Sequence, residues 1–176
     1  MHYITQAGLA LAAELLDDPH SYVWMRSAMI ALLQRVSEAG VSVDSQEVAR
    51  IGNGLLVLVG VQKHDTHEQA IKLAQRLIHY RVFEDADGKM NRSVLDSSGE
   101  VLLVPQFTLA ANTRKGRRPS FDSCAPPALG RQYFEAFCDA VASAGVPTVR
   151  GIFGADMAVS LINDGPVTFW LEIGPD

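Results

Sequence analysis

Cysteine is almost absent from this sequence: Cys124 and Cys138 are the only two in 176 residues. Two thiols fit neither a disulfide framework nor a zinc site, and they read as reduced, small buried hydrophobes in a cytoplasmic protein. Positive charge is also short. The net charge of −5 and the pI near 5.5 exclude a molecule that gathers nucleic acid over its whole surface, so any RNA contact must be local. No long apolar run exists either. "GLLVLVGV", Gly54 to Val61, falls far below the roughly 20 residues needed to cross a bilayer, so no membrane span is expected. "AGLALAA" near the N-terminus lacks a basic segment before it, and Glu14, Asp17 and Asp18 follow at once, which argues against a secretion signal.

The common catalytic fingerprints are missing as well. "GNG" at Gly52–Gly54 lacks the third glycine of a dinucleotide loop, and no G-x-S-x-G elbow occurs. His64 and His67 stand three apart at a helix start without a third ligand, and read as solvent-facing cap residues. Asp85, Asp87 and Gly88 resemble the opening of a calcium loop, but the closing glutamate is absent. Neither a metal nor a cofactor is expected.

What is present fits one globular domain: 48% of the residues are hydrophobic and 20% charged. Residues 1–28 read as an appendage, with a helical patch over Gln6–Leu16 and a stretch around Pro19 that has no period. An over-extended gene start, with Met25 or Met29 as the true start, is the first expectation, and a small helical add-on the second. Residues 29–176 form the domain. "MIALLQRVSEAGVSV" suggests a strand pair or one long bent strand, and "GLLVLVGV", after an Asn53-Gly54 turn, a central strand buried on both faces. Ala70, Ile71, Ala74, Leu77 and Ile78 repeat at helical spacing behind Asp65 or Thr66 as N-cap. A second helix begins just after Pro126 and Pro127 and ends at Gly145. Two main helices among about six strands predict an α/β fold with a mixed or antiparallel, partly barrel-like sheet.

Three features stand out from this background. Pro105 cannot donate to a ladder, so pairing should loosen at Gln106 and leave the next residues at a rim. Arg114, Lys115, Arg117 and Arg118 make one basic loop. In "SLINDGPVTFW" two apolar runs are broken by Asn163, Asp164, Gly165 and Pro166, which reads as a turn. Neither Thr108 nor Thr168 has a histidine or lysine beside it in sequence to act as base.

Over Met29–Ile173 the chain resembles the D-aminoacyl-tRNA deacylase family: "QRV" (34–36), "GLLVLVGV", "GKMN" (88–91), "PQFTLAA" (105–111), "RPSF" (118–121), "FGADM" (153–157) and "NDGPVTFWLE" (163–172) occur in order. The resemblance implies a metal-free and cofactor-free homodimeric esterase of the obligate type, which removes a D-amino acid from the 3′ end of mischarged tRNA. It implies that Gly165 and Pro166 are joined by a cis bond, though only about 5–6% of X-Pro bonds in folded proteins are cis. Their carbonyls would enter the partner's pocket, hold the substrate α-ammonium and turn an L side chain into backbone, while glycine passes. Arg35 matches the arginine that braces this segment, and Phe107, Phe153 and Met157 match pocket-lining residues. Gln106, Phe107 and Thr108 match the catalytic segment: Thr108 as candidate nucleophile, or the N–H groups of Phe107 and Thr108 as oxyanion donors while the terminal 2′-hydroxyl activates the attack. The basic loop is the candidate RNA contact.

One position departs from the pattern. Pro105 stands where most relatives have serine, as in a related branch that removes L-alanine from mischarged tRNA. That branch continues Gln-Ala-Thr-Leu, whereas Phe107 and "NDGPVTF" side with the D-specific group. An L-alanyl deacylase and a non-catalytic nucleic-acid-binding module remain the alternatives.

Overall fold

A computed structural model describes residues 28–114 and 116–175; the helical patch expected at 6–16 and Lys115 of the basic loop lie outside them. Eight strands and three helices follow in the order β1 (Met29–Val43), β2 (Gln46–Ile51), β3 (Gly54–Gly60), α1 (His67–Ile78), β4 (Phe83–Glu84), β5 (Met90–Arg92), α2 (Val94–Ser97), β6 (Glu100–Pro105), α3 (Pro127–Ser143), β7 (Thr148–Arg150) and β8 (Ala158–Ile173). A 3₁₀ turn, Phe107–Ala110, follows β6.

The main sheet is mixed, in the order β2-β1-β3-β6-β7, with β8 also paired to β1. β1 is one long strand rather than a strand pair. One edge carries β8 along nearly its whole length; the other carries β3 over Ile30–Val36 and β2 over Ala39–Val43. The pairs β3/β6 and β6/β7 are parallel, and the crossovers between them contain α1 and α3.

Alternation along the strands divides the interior in two. Leu55, Val57, Val59, Val101 and Leu103 face α1 and α3, which cover one face of the sheet, while Leu56, Leu102 and Val104 face the inside of its curl, against Ala49 and Ile51 of β2. This is why β3 carries an unbroken apolar run. β1 serves both cores. Met29, Ala31 and Leu33 point to the helices, but Ala39 and Val41, of the same parity, point into the curl. The reversal comes at Ser37: between Val36 and Glu38 β1 advances two residues while β8 advances one, and a one-residue bulge exchanges the faces.

Local signals place the helices. Thr66 caps α1: its Oγ1 accepts from Gln69 N at 3.2 Å, and Gln69 Oε1 accepts from Thr66 N at 2.7 Å, a reciprocal cap worth about 1 kcal/mol. The same Gln69 donates Nε2–H to Ile173 O at 3.0 Å and so ties α1 to the end of β8. Buried positions on α1 include Leu73, while Ile71 is only partly covered, a one-residue rotation of the expected face. α3 starts at Pro127 and stops before Gly145, whose φ of +84° ends it.

Two expectations change, and the Asp85 loop finds its place. α2, capped by Ser93 with Asp96, is a third helix. The Asp85 segment is the tip of the β4–β5 hairpin, with Asp85 Oδ1 accepting from Asp87 N and Lys89 N. "SLINDGPVTFW" is no turn between two strands: both halves belong to β8 and pair with β1 in the same sense. Gln34 pairs with Thr168 and Val36 with Asn163, so β8 takes five steps where β1 takes two, and Asp164–Val167 loop out as a wide bulge.

Candidate functional site

A cavity of about 490 Å³ opens beyond the C-terminal ends of the parallel strands β3 and β6. Ligand sites in sheets with parallel strands favour that end. Pro105, Gln106 and Phe107 form one wall and Phe153 to Met157 another. The structure thus brings together four of the residues proposed for the pocket: Gln106, Phe107, Phe153 and Met157.

The first wall is shaped by how β6 ends. Pairing loosens at Gln106, as Pro105 suggested: β6 ends at Pro105, Gln106 N makes a last bond to Val59 O at 2.7 Å, and the chain then turns. Pro105's missing donor would have faced β7, because the donors of Val101 and Gln106 alternate between β7 and β3 along the strand. β7 has ended by then, so proline leaves no orphan N–H in the wall.

The turn lies directly on Gly60. A Cβ there would sit 2.9 Å from Leu109 Cβ and 3.3 Å from Gln106 O, so only glycine admits this approach. Inside the turn the first bond is Leu109 N–H to Gln106 O at 3.2 Å, which leaves the N–H groups of Phe107 and Thr108 outside its own bonding. Thr108 is exposed, and its Oγ1 accepts from Gln106 Nε2 at 2.5 Å. Phe107 is 57% exposed. Its carbonyl accepts from Cys124 Sγ at 3.4 Å, and burial raises that thiol's pKa above its ordinary value.

The basic loop is fastened to the same turn. Asn112 and Ser120 exchange backbone bonds of 2.8 and 3.0 Å at its base, and the rings of Phe121 and Phe107 lie 5.2 Å apart. Arg114, Arg117 and Arg118 are exposed beyond this clasp.

The β8 bulge is a second cluster, outside the cavity. The Gly165–Pro166 bond is cis, and both residues are exposed. Arg35, far from being a surface arginine, is 7% exposed. Its Nη1 donates to Val82 O at 2.8 Å, and Nε lies 3.0 Å from Asp164 Oδ2 and 3.3 Å from Asp164 O, with Glu84 4.0 Å from Nη2. Two carbonyls and two carboxylates thereby compensate a nearly buried charge. Asn163 holds the bulge from its other side: Nδ2 donates to Arg35 O (3.4 Å), Val167 O (3.2 Å) and Thr168 Oγ1 (3.4 Å).

Val159 of β8 lines the cavity, and Gly165 comes six residues later, which at about 3.3 Å per residue puts the bulge roughly 15–20 Å along the strand. Within this chain the cavity and the bulge are separate.

The family model described as D-Tyr-tRNA(Tyr) deacylase matches residues 32–172. The chain belongs to that family. It is 58% identical over 147 residues to a D-aminoacyl-tRNA deacylase of Thioalkalivibrio sulfidiphilus, covering 84% of this chain and 99% of that protein. A D-aminoacyl-tRNA deacylase of Haemophilus influenzae is 54% identical over 145 residues, covering 82% and 100%. Among solved structures, one described as c-Myc DNA Unwinding Element Binding Protein superposes with a TM-score of 0.79 at 36% identity, over 83% of this chain and 99% of that one. A probable eukaryotic D-amino acid tRNA deacylase superposes at 0.74 with 21% identity, over 83% and 100%, and shares the fold.

Sequence reasoning missed four members of this deacylase-family site: Asp164 and Asn163, which fix the bulge, Gly60, which admits the turn, and Val82, whose carbonyl anchors Arg35. Asn163 and Asp164 were legible only as part of the break in "SLINDGPVTFW" and Gly60 only as a glycine closing an apolar run, while Val82 carried no sequence signal.

Proposed function

We propose that this protein hydrolyses the ester of D-aminoacyl-tRNA, and of glycyl-tRNA, in the cytoplasm, and that it works as a homodimer in which the Gly165–Pro166 bulge of one protomer completes the cavity of the other. The observation that carries this reading is the separation itself: a cavity beside the Phe107 turn, and an exposed bulge held rigidly by Arg35 and Asn163 away from it. A second copy supplies what each protomer lacks. β8 offers the surface for it, since among the described residues its outer edge pairs with no strand, and Ile162 (56%) and Trp170 (47%) are exposed along it, one on each face.

In the assembled site the carbonyls of Gly165 and Pro166 accept hydrogen bonds from the substrate's α-ammonium and fix the stereocentre. An L side chain then runs into backbone, whereas a D side chain points away and glycine has none to reject. Water adds to the ester carbonyl carbon, activated by the terminal 2′-hydroxyl. The N–H groups of Phe107 and Thr108 stabilise the oxyanion, the C–O bond to the ribose 3′-oxygen breaks, and that oxygen takes up a proton. Thr108 sits beside the Gln106 amide, which is no base, so it orients and does not attack. Arg114, Lys115, Arg117 and Arg118 grip the tRNA backbone.

The deciding assay compares D-Tyr-tRNA, L-Tyr-tRNA and L-Ala-tRNA. Hydrolysis of the D-ester alone is expected. Equal D and L rates, or turnover of L-Ala-tRNA alone, would overturn the reading. For the shared site, mixing an inactive Gly165 variant with an inactive Phe107 variant should restore activity, because one site of the mixed dimer is intact; no recovery in a demonstrated mixed dimer refutes the shared pocket.

A further inference from the structure

Phe153 forms a partition. On one side lies the cavity described above; on the other is a more open cleft of about 460 Å³ whose charged residues are Arg131, Glu135, Asp139 and Arg150. The segment that carries the ring, between β7 and β8, has little regular bonding: Gly151 N donates to Leu103 O at 2.8 Å and Ala155 N to Ile152 O at 3.2 Å. The ladder therefore does not fix where the ring stands.

Arg131 on α3 does. Its Nη2 donates to Phe153 O at 3.1 Å, and its guanidinium carbon lies 4.9 Å from the ring centroid, so one side chain holds both the backbone and the ring of the same residue. α3 leaves room for the contact at Gly130, where a Cβ would come within 3.3 Å of Phe153 Cζ. Gly154, with φ +83°, then turns the chain past Arg131. Among the described residues Glu135 pairs with the guanidinium, at 3.9 Å, in a contact half open to solvent that leaves the fork's direction to Phe153.

We infer that Arg131 is a positioning residue for substrate binding: it presets Phe153 as the cavity wall, and without it the ring is free to move into the outer cleft. The inference rests on the reading that this cavity receives the aminoacylated end of tRNA. Because the wall is ground-state binding surface, its loss raises KM and leaves kcat.

The test is a double-mutant cycle on D-Tyr-tRNA with Arg131→Ala, Phe153→Ala and both together. Arg131→Ala alone should raise KM roughly three- to thirtyfold with kcat within about twofold, and Arg131→Lys, which keeps the charge but loses the fork, should recover only part. In the Phe153→Ala background the Arg131 substitution should add less than about twofold. Gly130→Ala moves the ring with no change of charge, and should alter KM in the same assay. An unchanged KM for Arg131→Ala, or effects that multiply in the double variant, overturns the inference. NMR of ¹³C-labelled phenylalanine reads the clamp without substrate: Phe153 signals should shift in Arg131→Ala, and unmoved signals refute it. If the wild-type protein fails to hydrolyse D-Tyr-tRNA while those signals do shift, the functional reading falls and the clamp stands.

Discussion

Gly165→Ala tests the bulge most directly. The residue has φ +118°, a conformation that costs an L side chain about 1–3 kcal/mol. The added Cβ would also lie 2.8 Å from Val167 Cγ2 and 2.9 Å from Arg35 Nη2. Arg35 cannot simply step aside, because Nη1 is bonded to Val82 O at 2.8 Å and Nε to Asp164. Releasing one such bond from a nearly buried guanidinium adds about 1 kcal/mol or more, which brings the destabilisation to about 2–4 kcal/mol. For a domain of this size that corresponds to a fall in Tm of roughly 5–15 °C by calorimetry. Deacylation of D-Tyr-tRNA should fall further than stability accounts for, by at least about tenfold in kcat/KM at a temperature where the variant is folded, since carbonyl positions are what the bulge supplies. Asp164→Asn is the control: it loses an ion pair whose carboxylate is mostly exposed, worth under about 1 kcal/mol, and keeps the backbone contact. A Gly165→Ala protein with unchanged Tm and activity would refute both the strain and the gate.

Thr108→Ala should keep kcat within about tenfold of wild type, because an orienting hydroxyl contributes far less than a nucleophile; abolished turnover in a folded variant would restore a covalent mechanism. Replacing Arg114, Arg117 and Arg118 by glutamine should weaken tRNA binding and flatten the log K against log salt slope by about 2, at roughly 0.7 per single-strand phosphate contact; an unchanged slope removes the loop from the interface. Burial pushes the Cys138 thiol up to about 12, so it stays protonated in the fold while the unfolded chain ionises it from about pH 8.5. The unfolded state then holds fewer protons, and stability should fall as pH rises from about 8.5 to 12, an effect that Cys138→Ala removes in denaturant titrations. At pH 8 a disulfide reagent should reach the half-buried Cys124, and Cys138 only after unfolding.

What could be read in advance was local or periodic. A cap at Asp65 or Thr66, the two-sided burial of β3 and a helix start beside Pro126 and Pro127 are each written in a few adjacent residues. α2 escaped because four residues carry no period, and only Ser93 and Asp96 mark it. The bulge escaped for a different reason: whether Asn163–Pro166 turns the chain back or loops out of a continuous strand is decided by pairing with Gln34–Val36, more than a hundred residues away. Arg35 shows the same limit. A charged residue in a strand reads as solvent-facing until β4 brings Val82 O and Glu84 to it. The cavity depends on three distant segments, at 104–107, 125–127 and 153–159, and family resemblance, not spacing, picked its members.

The exchange of faces at Ser37 has a consequence for how the molecule comes apart. A strand that lends its first half to the core under the helices and its second half to the core inside the curl cannot be released from one without losing the other. Neither core is then a separate cooperative unit. Heat or denaturant should dissolve the domain in a single transition, with the amides of β1 exchanging only through global opening, and the Arg35 brace should persist until the whole fold is lost.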